Sequence, residues 1–132
     1  MKREILETKM HEFVEYFHVY DHAKAMDMFA EDAVAHHFTG EKWVGREAIR
    51  EATRGYFAKE FGEVFFDVGR VDVDEGRNIL WSQWVMKLTK DGFTASIPGV
   101  DTFEFGEDLL IIRNSVFVKS TKPLTVTTSL VQ

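Results

Sequence analysis

Cysteine is absent from this sequence, and its absence excludes several kinds of chemistry. Without thiols the chain cannot form disulfides, ligate zinc through thiolates or attack a substrate with a cysteine nucleophile. Long apolar runs are absent too: the longest purely aliphatic stretch is Leu109 to Ile112, whereas a membrane-spanning helix needs about 20 residues. The segment from Met1 to Phe13 carries too many charges for a signal peptide. We therefore expect a soluble cytoplasmic protein.

Positive charge is also in short supply. The 16 lysines and arginines are outnumbered by 22 aspartates and glutamates, which gives a formal net charge of −6. No cluster of Lys and Arg interrupts this acidic character. Since phosphate binding needs a basic surface, nucleic acid is not an expected partner.

Apolar side chains, by contrast, are plentiful. Hydrophobic residues make up 45 % of the 132 residues and include twelve Phe and three Trp, which is enough for one domain with its own core. We assign residues 1–120 to that domain and residues 121–132 to a C-terminal tail. The tail, from Thr121 to Gln132, alternates Thr with Val and Leu, which fits either an edge strand or disorder.

The first half of the chain has helical periodicity. A single apolar stripe predicts an amphipathic first helix; its members are Leu6, Met10, Phe13, Val14 and Phe17. Asp21 is a suitable N-cap for a second helix, and Gly45 precedes a third. The predicted elements in this half are helices over Ile5 to Tyr20, His22 to Ala30 and Arg46 to Phe61, a strand over Ala33 to Phe38 and a turn over Thr39 to Lys42.

The second half has the texture of β-strands joined by short turns rich in Gly and Asp. The predicted strands are Val64 to Val73, Ile79 to Thr89, Phe93 to Phe105 and Leu109 to Lys119. Short connections predict an antiparallel meander. Helices followed by a curved antiparallel sheet define the α+β class, with the helices on one face. Pro98-Gly99 inside the third strand predicts a bulge or bend that curls the sheet over the helices.

One strand places a carboxyl group among phenyl rings. From Asp101 onward the sequence alternates, so Asp101, Phe103 and Phe105 share a face. A carboxylate on a core-facing surface loses hydration. Either donors satisfy it, from a helix end or a Trp, or its pKa rises and it can carry a proton near neutral pH.

Three short motifs resemble the nuclear transport factor 2-like superfamily, and more narrowly its SnoaL-like and ketosteroid-isomerase-like branch. They are Met28 to Val34 (Met-Phe-Ala-Glu-Asp-Ala-Val), Gly45 to Ile49 (Gly-Arg-Glu-Ala-Ile) and Gly99 to Phe105 (Gly-Val-Asp-Thr-Phe-Glu-Phe). The resemblance covers residues 5 to 119. It implies a cone-shaped, cystatin-like fold, in which a curved sheet wraps around a long helix and is open at one end. It also implies a homodimer that pairs sheet against sheet.

Two acid–base candidates follow from this resemblance. Asp101 stands where the ketosteroid isomerases hold a pocket carboxyl group, and His37 aligns with their general-base Asp. Imidazole is a competent base near neutral pH. Ala33, Ala35 and His37 share a strand face, but a slip of one residue would present His36 instead.

Other parts of the sequence depart from the isomerases. Phe13 occupies the place of their oxyanion-hole Tyr, and Tyr16, close to the same face, is the candidate that could replace it. Tyr20-Asp21 resembles a pair in scytalone dehydratase, but the strand from Ile79 to Thr89 lacks the histidines expected there. The epoxide hydrolases of the superfamily use an Asp-Arg-Asp trio, of which Asp101 and Arg113 would supply only part.

A hydrophobic substrate pocket would need apolar walls. The candidate substrate-binding residues are Phe13, Phe17, Trp43, Tyr56, Trp84 and Phe103. Because residues three apart in a strand lie on opposite faces, at most one of Trp81 and Trp84 lines the cavity. Plain core or dimer packing is the alternative for each of these rings.

A metal site is not expected. A helical stripe contains His11, Glu15, His18 and His22, and His11 to Glu15 is similar to the zinc-protease motif, except that Glu15 replaces its last His. We interpret this stripe as a solvated face and expect neither a metal nor a cofactor.

Two functions remain open at this point. The first is a small-molecule enzyme of the isomerase or cyclase type, or a dehydratase, in which His37 removes a proton alpha to a carbonyl and protonated Asp101 stabilises the oxyanion. The second is a non-catalytic module that binds a small apolar ligand or dimerises. The first requires His37 and Asp101 to face one cavity that solvent can enter.

Overall fold

The computed structural model describes residues 2–119, which form four helices and a six-stranded sheet. The helices are α1 (Lys2–His18), α2 (His22–Asp27), α3 (Arg46–Ala52) and α4 (Arg54–Phe57). The strands are β1 (Phe29–His36), β2 (Lys42–Val44), β3 (Glu63–Asp74), β4 (Ile79–Lys90), β5 (Phe93–Phe105) and β6 (Ile111–Val118). The predicted α+β class is confirmed. The predicted tail, Thr121 to Gln132, lies outside the described residues.

The first helix forms as its apolar stripe predicts. Leu6, Met10 and Phe13 are its buried residues and belong to the main core. The helix ends two residues earlier than predicted, because Tyr20 adopts a left-handed φ of 57°. Asp21 then caps α2 by accepting a hydrogen bond from the Lys24 backbone N–H at 3.1 Å.

Two of the predicted helices are too long. The second ends at Asp27, because the chain from Phe29 onward pairs with β6 and Phe29 becomes part of the core. The third divides at Thr53, which has a non-helical φ of −94° and ψ of 0°. The Thr53 hydroxyl donates to the Ile49 carbonyl at 2.8 Å, which helps to terminate α3.

The sheet has the strand order β2-β1-β6-β5-β4-β3. The meander from β3 to β6 is antiparallel as predicted, whereas β1 and β6 pair in parallel. Strand β2 replaces the end of the predicted Thr39 to Lys42 turn, and the last strand begins at Ile111 because Leu109 has a φ of 66° in the preceding turn.

The predicted bulge at Pro98-Gly99 is wrong as far as pairing is concerned. These residues continue the β4–β5 register opposite Val85 and Trp84 without a shift. The register shifts lie instead in β3 between Val68 and Val71, in the β5–β6 pair after Glu104 and in the β1–β6 pair.

The helices cover the inner face of this curved sheet, where the core forms. The sheet contributes Leu80, Phe103, Phe105 and Ile111, and the helices contribute Leu6, Met10, Phe13, Met26 and Ile49. Among residues 2–119 no helix is both long and apolar enough to cross a membrane.

Candidate active site

Asp101 lies on the inner face of β5, two residues before the fully buried Phe103. The residue is half-buried overall, but its Oδ1 atom is inaccessible to solvent. Among the described residues this oxygen has no hydrogen-bond partner. Of the two outcomes that the sequence left open, the structure therefore favours an altered pKa over full satisfaction by donors.

Burial raises the pKa of the Asp101 carboxyl to about 7, from an ordinary value of 3.8. The Trp84 indole and the Asn114 amide oppose this rise because both are donors beside the carboxyl group. Within residues 2–119 neither makes a hydrogen bond of good geometry to Oδ1: Trp84 Nε1 has no partner there, and Asn114 Nδ2 donates to the Thr102 carbonyl at 3.1 Å. Desolvation therefore dominates, and the neutral carboxylic acid is well populated at neutral pH.

Ser82 and Asn114 are buried polar residues of this region that sequence reasoning missed. They are 1 % and 7 % exposed. Ser82 lies directly across from Asp101 in the β4–β5 ladder, and Asn114 of β6 pairs with Phe103 of β5. The signal for Ser82 was its position between Leu80 and Trp84 in a period of two, which places it on the core face of a strand. Asn114 becomes recognisable only when the strands are paired.

Trp84 shares the inner face with Asp101 and is 4 % exposed, whereas Trp81 lies half-buried on the opposite face. The Trp84 ring packs edge-on to Phe66 with centroids 5.1 Å apart. It also covers Gly99, where an added Cβ would overlap the ring and lie 2.6 Å from the Phe117 carbonyl oxygen. Glycine is therefore required at this position by close packing.

The predicted strand over Ala33 to Phe38 is wrong in its bounds, because β1 spans Phe29–His36. His37 therefore lies just after β1, in the hairpin that leads to β2. Its backbone N–H donates to the Glu41 carbonyl at 2.9 Å. Its ring packs against Trp43, with centroids 5.0 Å apart. Trp43 faces the same side of the sheet as Ala35, its cross-strand partner. Of the two candidate histidines, His37 is therefore the one beside an inner-face residue.

The hairpin also supplies polar partners for the His37 ring. Nδ1 lies 2.9 Å from the Thr39 hydroxyl, which donates to Glu41 Oε1 at 3.2 Å. A Thr39 hydroxyl proton donated to Glu41 favours the tautomer in which Nδ1–H donates to the Thr39 oxygen and Nε2 is the basic nitrogen. The longer approach of the Thr39 backbone N–H to Nδ1, at 3.4 Å, is the weaker contact. Burial lowers the pKa of His37, and the Glu41 charge partly opposes this.

Asp101 and His37 do not form a directly coupled pair. Strand β6 separates their strands, so the backbones are about 10 Å apart, two strand spacings. The pKa shift of each has its own local causes, which do not include the other group. Two surface depressions of about 490 and 220 Å³ lie on the described part of the chain, and neither is lined by Asp101 or His37. The larger one borders the Asp101 region through Trp84 and Gly99. Neither depression is the shared cavity that the catalytic hypothesis requires.

The candidate lining residues divide into packed and partly open rings. Phe13 and Phe103 are core residues whose rings meet edge-on at 5.4 Å, and Phe103 has no exposed surface. Phe17, Trp43 and Tyr56 are half-buried. Their roles in substrate binding stay predictions, and the packing of Phe13 on Phe103 fills part of the expected hollow.

The tyrosines have different surroundings. Tyr16 is half-buried beside the core, with the Lys24 ammonium 6.0 Å from its ring centre. The Tyr56 hydroxyl donates to the Phe17 carbonyl at 3.4 Å, and burial raises the pKa of Tyr56 well above its ordinary value. The Tyr20 hydroxyl accepts from the Val64 backbone N–H at 2.9 Å, so it helps to hold α1 against β3.

Two readings of charged and polar side chains need correction. Arg113 is exposed on the face of β6 opposite Asn114, so it cannot join Asp101 in an epoxide-hydrolase trio.

The helical histidine stripe is only partly solvated: His18 Nε2 accepts from the Phe66 backbone N–H, and the His22 ring stacks on Phe57 at 4.4 Å. Within residues 2–119 no group of three His, Asp or Glu side chains is arranged to hold a metal ion.

The sequence profile of the SnoaL-like domain matches residues 10–114, so the chain belongs to that family. This agrees with the superfamily that the three motifs predicted. A search of curated protein sequences finds no significant relative.

Solved structures share the fold at low sequence identity. SalBIII, described as an epoxide hydrolase/cyclase-like enzyme with a role in pyran ring formation in the polyether salinomycin, is 19 % identical with a TM-score of 0.80; the match covers 92 % of this chain and 96 % of SalBIII. A proposed polyketide cyclase from Xanthomonas campestris pv. campestris is 17 % identical with a TM-score of 0.77, over 89 % and 92 % of the two chains. A protein of unknown function with a cystatin-like fold from Methylobium petroleophilum PM1 is 19 % identical with a TM-score of 0.76, over 94 % and 82 %. At these identities the likeness establishes the fold alone.

Proposed function

We propose that this chain is a small-molecule enzyme of the isomerase or cyclase type, which transfers protons on a hydrophobic, carbonyl-containing substrate. The observation that carries the proposal is the Asp101 carboxyl group, whose burial on an apolar sheet face raises its pKa to about 7. A group with this pKa can donate a hydrogen bond or a proton at neutral pH, as a general acid must. The cyclase descriptions of structurally similar proteins support the same class of reaction.

In the proposed reaction Asp101 acts on oxygen and His37 acts on carbon. His37 Nε2 removes a proton alpha to the carbonyl, and the electron pair of that C–H bond moves into an enolate. The neutral Asp101 carboxyl hydrogen-bonds the enolate oxygen, where the charge develops. In an isomerisation the imidazolium returns the proton to another carbon. In a cyclisation the enolate carbon attacks a second carbonyl carbon of the same molecule, the π electrons of that C=O bond move to its oxygen, and this oxygen takes the proton from the imidazolium. Tyr16 is a further candidate donor.

This proposal needs no cofactor, because both proton-carrying groups belong to the chain. A homodimer paired through the sheet is part of the proposal, by analogy with the superfamily. Sedimentation should then give twice the chain mass of 15.3 kDa. A monomer at micromolar concentration would contradict the dimer without affecting the proposed chemistry.

The test compares Asp101→Asn and His37→Ala with two matched controls, Asp67→Asn and His11→Ala, which change exposed residues of the same types. Each is assayed on cyclic ketones and polyketide-like ketones by proton–deuterium exchange and product formation. We expect a loss of about 10²- to 10³-fold in Asp101→Asn, the range found when a positioned oxyanion donor is removed. His37→Ala should lose about 10²- to 10⁴-fold, the range for a general base, and the controls should not change. Unchanged turnover in both site variants would reject the catalytic proposal.

A non-catalytic ligand-binding or dimerisation module is the second candidate. The packing of Phe13 on Phe103 favours it, because these rings fill space that a substrate would need. In that case ligands would bind without exchange or turnover, and Asp101→Asn would change affinity alone.

A further inference from the structure

The larger depression, of about 490 Å³, lies on the outer face of the sheet, away from the helices. Its apolar centre is formed by Val85, Pro98, Val100 and Phe117. Val85 directly follows the inner-face Trp84 and therefore faces outward. It pairs with Pro98, and Val100 pairs with Phe117, so the four side chains share the outer face. Phe117 is 59 % exposed, which leaves a large apolar side chain in solvent.

Charged side chains form the rim of this apolar centre. Asp67 and Arg70 lie on the β3 side, and Lys119 lies on the β6 side. Lys87 Nζ is 3.9 Å from Asp67 Oδ2, and Arg70 Nε is 2.8 Å from Asp72 Oδ2, so both charges on β3 have a counter-ion nearby. An apolar centre inside a polar rim is the arrangement of a surface that another stretch of polypeptide covers.

The chain enters the C-terminal tail at the edge of this depression. Val118 and Lys119 both line it, and the Lys119 N–H donates to the Pro98 carbonyl at 2.8 Å, so the backbone is held to β5 up to that point. From β6 the apolar centre extends across β5 to β4, two strand spacings or about 10 Å. Because an extended residue spans about 3.3 Å, Leu124 and Val126 are far enough along the chain to reach all of it.

The sequence of the tail suits an apolar surface. Among its twelve residues only Lys122 is charged. Leu124 and Val126 alternate with Thr125 and Thr127, so an extended tail would present the two apolar side chains on one side and the threonines on the other. The apolar side matches the centre of the depression, and the threonines suit contact with water.

A second copy of the chain is the alternative occupant of the depression. A segment attached beside its site is present at an effective concentration of about millimolar, whereas a second copy is present only at its bulk concentration. The tail therefore has the advantage in dilute solution. The β1–β2 end of the same face, where Val44 is exposed, stays open for the proposed homodimer.

We propose that the C-terminal tail, residues 121–132, docks on the outer-face depression of its own chain. Leu124 and Val126 pack on the apolar centre and cover the exposed ring of Phe117. This inference goes beyond the proposed function and does not depend on it, because Asp101 lies on the inner face and takes no part in the docking.

Paramagnetic broadening in the full chain tests this docking. The chain has no cysteine, so Thr127→Cys provides a single site for a nitroxide label, on the side of the tail that faces solvent in the proposal. We expect the label to broaden the backbone ¹⁵N–¹H signals of Val85 on β4 and Asp67 on β3, two and three strands away from β6. Signals from α3 (Arg46–Ala52), which lies behind the sheet, should stay sharp.

Two matched pairs of variants, made in the labelled chain, test the contacts. Phe117→Ala should lower the docking equilibrium constant about ten-fold, since it removes a large apolar side chain from the contact. Phe93→Ala changes an 80 % exposed Phe outside the depression and should have no effect. Leu124→Asp should abolish the broadening of Val85, whereas Thr125→Asp should leave it unchanged.

A mixed sample distinguishes the tail of the same chain from that of a second copy. It combines ¹⁵N-labelled chains without nitroxide and unlabelled chains that carry the nitroxide at Thr127→Cys. We expect the Asp67 and Val85 signals to stay sharp in this sample. Broadening as strong as in the singly labelled chain would show docking on a second copy and would overturn the proposal.

Two further results would reject the proposed docking. The first is that Asp67 and Val85 stay sharp in every sample, as they would if a second copy covered the depression or the tail stayed in solvent. The second is that Phe117→Ala and Leu124→Asp leave the broadening unchanged. Loss of turnover in Asp101→Asn has no bearing on either result, so this proposal and the catalytic one can fail separately.

Discussion

Asp101 and His37 are both acid–base candidates, but the polar atoms around them differ in how many hydrogen bonds they make. The Asp101 cluster, defined here as Ser82, Trp84, Asp101 and Asn114, contains three buried atoms that find no hydrogen-bond partner in the part of the chain that the structure describes. The His37 hairpin, residues 37–43, is closed by its own bonds from His37 through Thr39 to Glu41. The first region thus has unused bonding capacity where water is excluded, and the second has little. The Asp101 cluster is therefore the better candidate for the centre of the proposed site, and the hairpin is the candidate for its border.

The largest expected effect concerns the pH dependence of stability. The folded-state pKa of Asp101 is raised, so its contribution is fully present below the unfolded value near 3.8 and is lost as pH rises through about 7. The loss is on the order of 4 kcal/mol at most, from about 1.4 kcal/mol per pKa unit. Asp101→Asn should remove this slope, so the variant should gain stability relative to the wild type between pH 4 and pH 7. Urea unfolding across this range measures it, and parallel curves for the two proteins would contradict the buried neutral acid.

A smaller effect should come from packing beneath the Trp84 ring. Gly99→Ala places a methyl group against that ring and 2.6 Å from the Phe117 carbonyl oxygen, which the sheet holds in place. Overpacking of this kind costs about 1–3 kcal/mol. Gly69→Ala is the matched control, because its added Cβ would meet the Gln83 carbonyl oxygen at an ordinary 3.7 Å. Equal unfolding midpoints for the two variants would show that the Asp101 region is looser than described.

The smallest effect on stability is expected in the His37 hairpin. There the stability falls as the pH decreases, whereas the Asp101 contribution falls as the pH increases. Burial lowers the pKa of His37, so the stability that its neutral ring contributes is present above the unfolded value of 6.5 and lost as pH falls through the folded value. His37→Gln should flatten only this acid-side loss. His11→Gln on exposed α1 is the control. The contrast between the two regions would be wrong if His37→Gln changed the stability above the unfolded pKa. It would also be wrong if the His37 contribution varied with pH as steeply as that of Asp101.

The local sequence pattern predicted the helices and strands that contain the candidate site residues, but it did not predict how those elements pair and pack. The alternation from Asp101 to Phe105 places the carboxyl on the core face, because a strand alternates regardless of its neighbours. The end of α2 was misjudged, since Ala25, Met26 and Phe29 fit a helical stripe and only pairing with β6 draws Phe29 into a strand. Periodicity measures local burial and cannot register such long-range pairing.

The candidate site was predicted in part for the same reason. Asp101 was recognisable from its phenyl neighbours in sequence, whereas Ser82 and Asn114 reach it only across strand pairs. The position of His37 depends on the hairpin bond between its N–H and the Glu41 carbonyl. With this hairpin β1 ends at His36, two residues before the predicted end at Phe38. The exposed position of Arg113, which separates it from Asp101, follows from the β6 register and is not encoded in its own sequence neighbours.

The ionisation of Asp101 can be measured directly. A ¹³C titration of the aspartate carboxyl groups, with the Asp101 signal assigned by its disappearance in Asp101→Asn, follows this group through the pH range. The burial described here predicts a midpoint near 7. A midpoint near 3.8 would show an ordinary, hydrated carboxylate and would contradict the central claim.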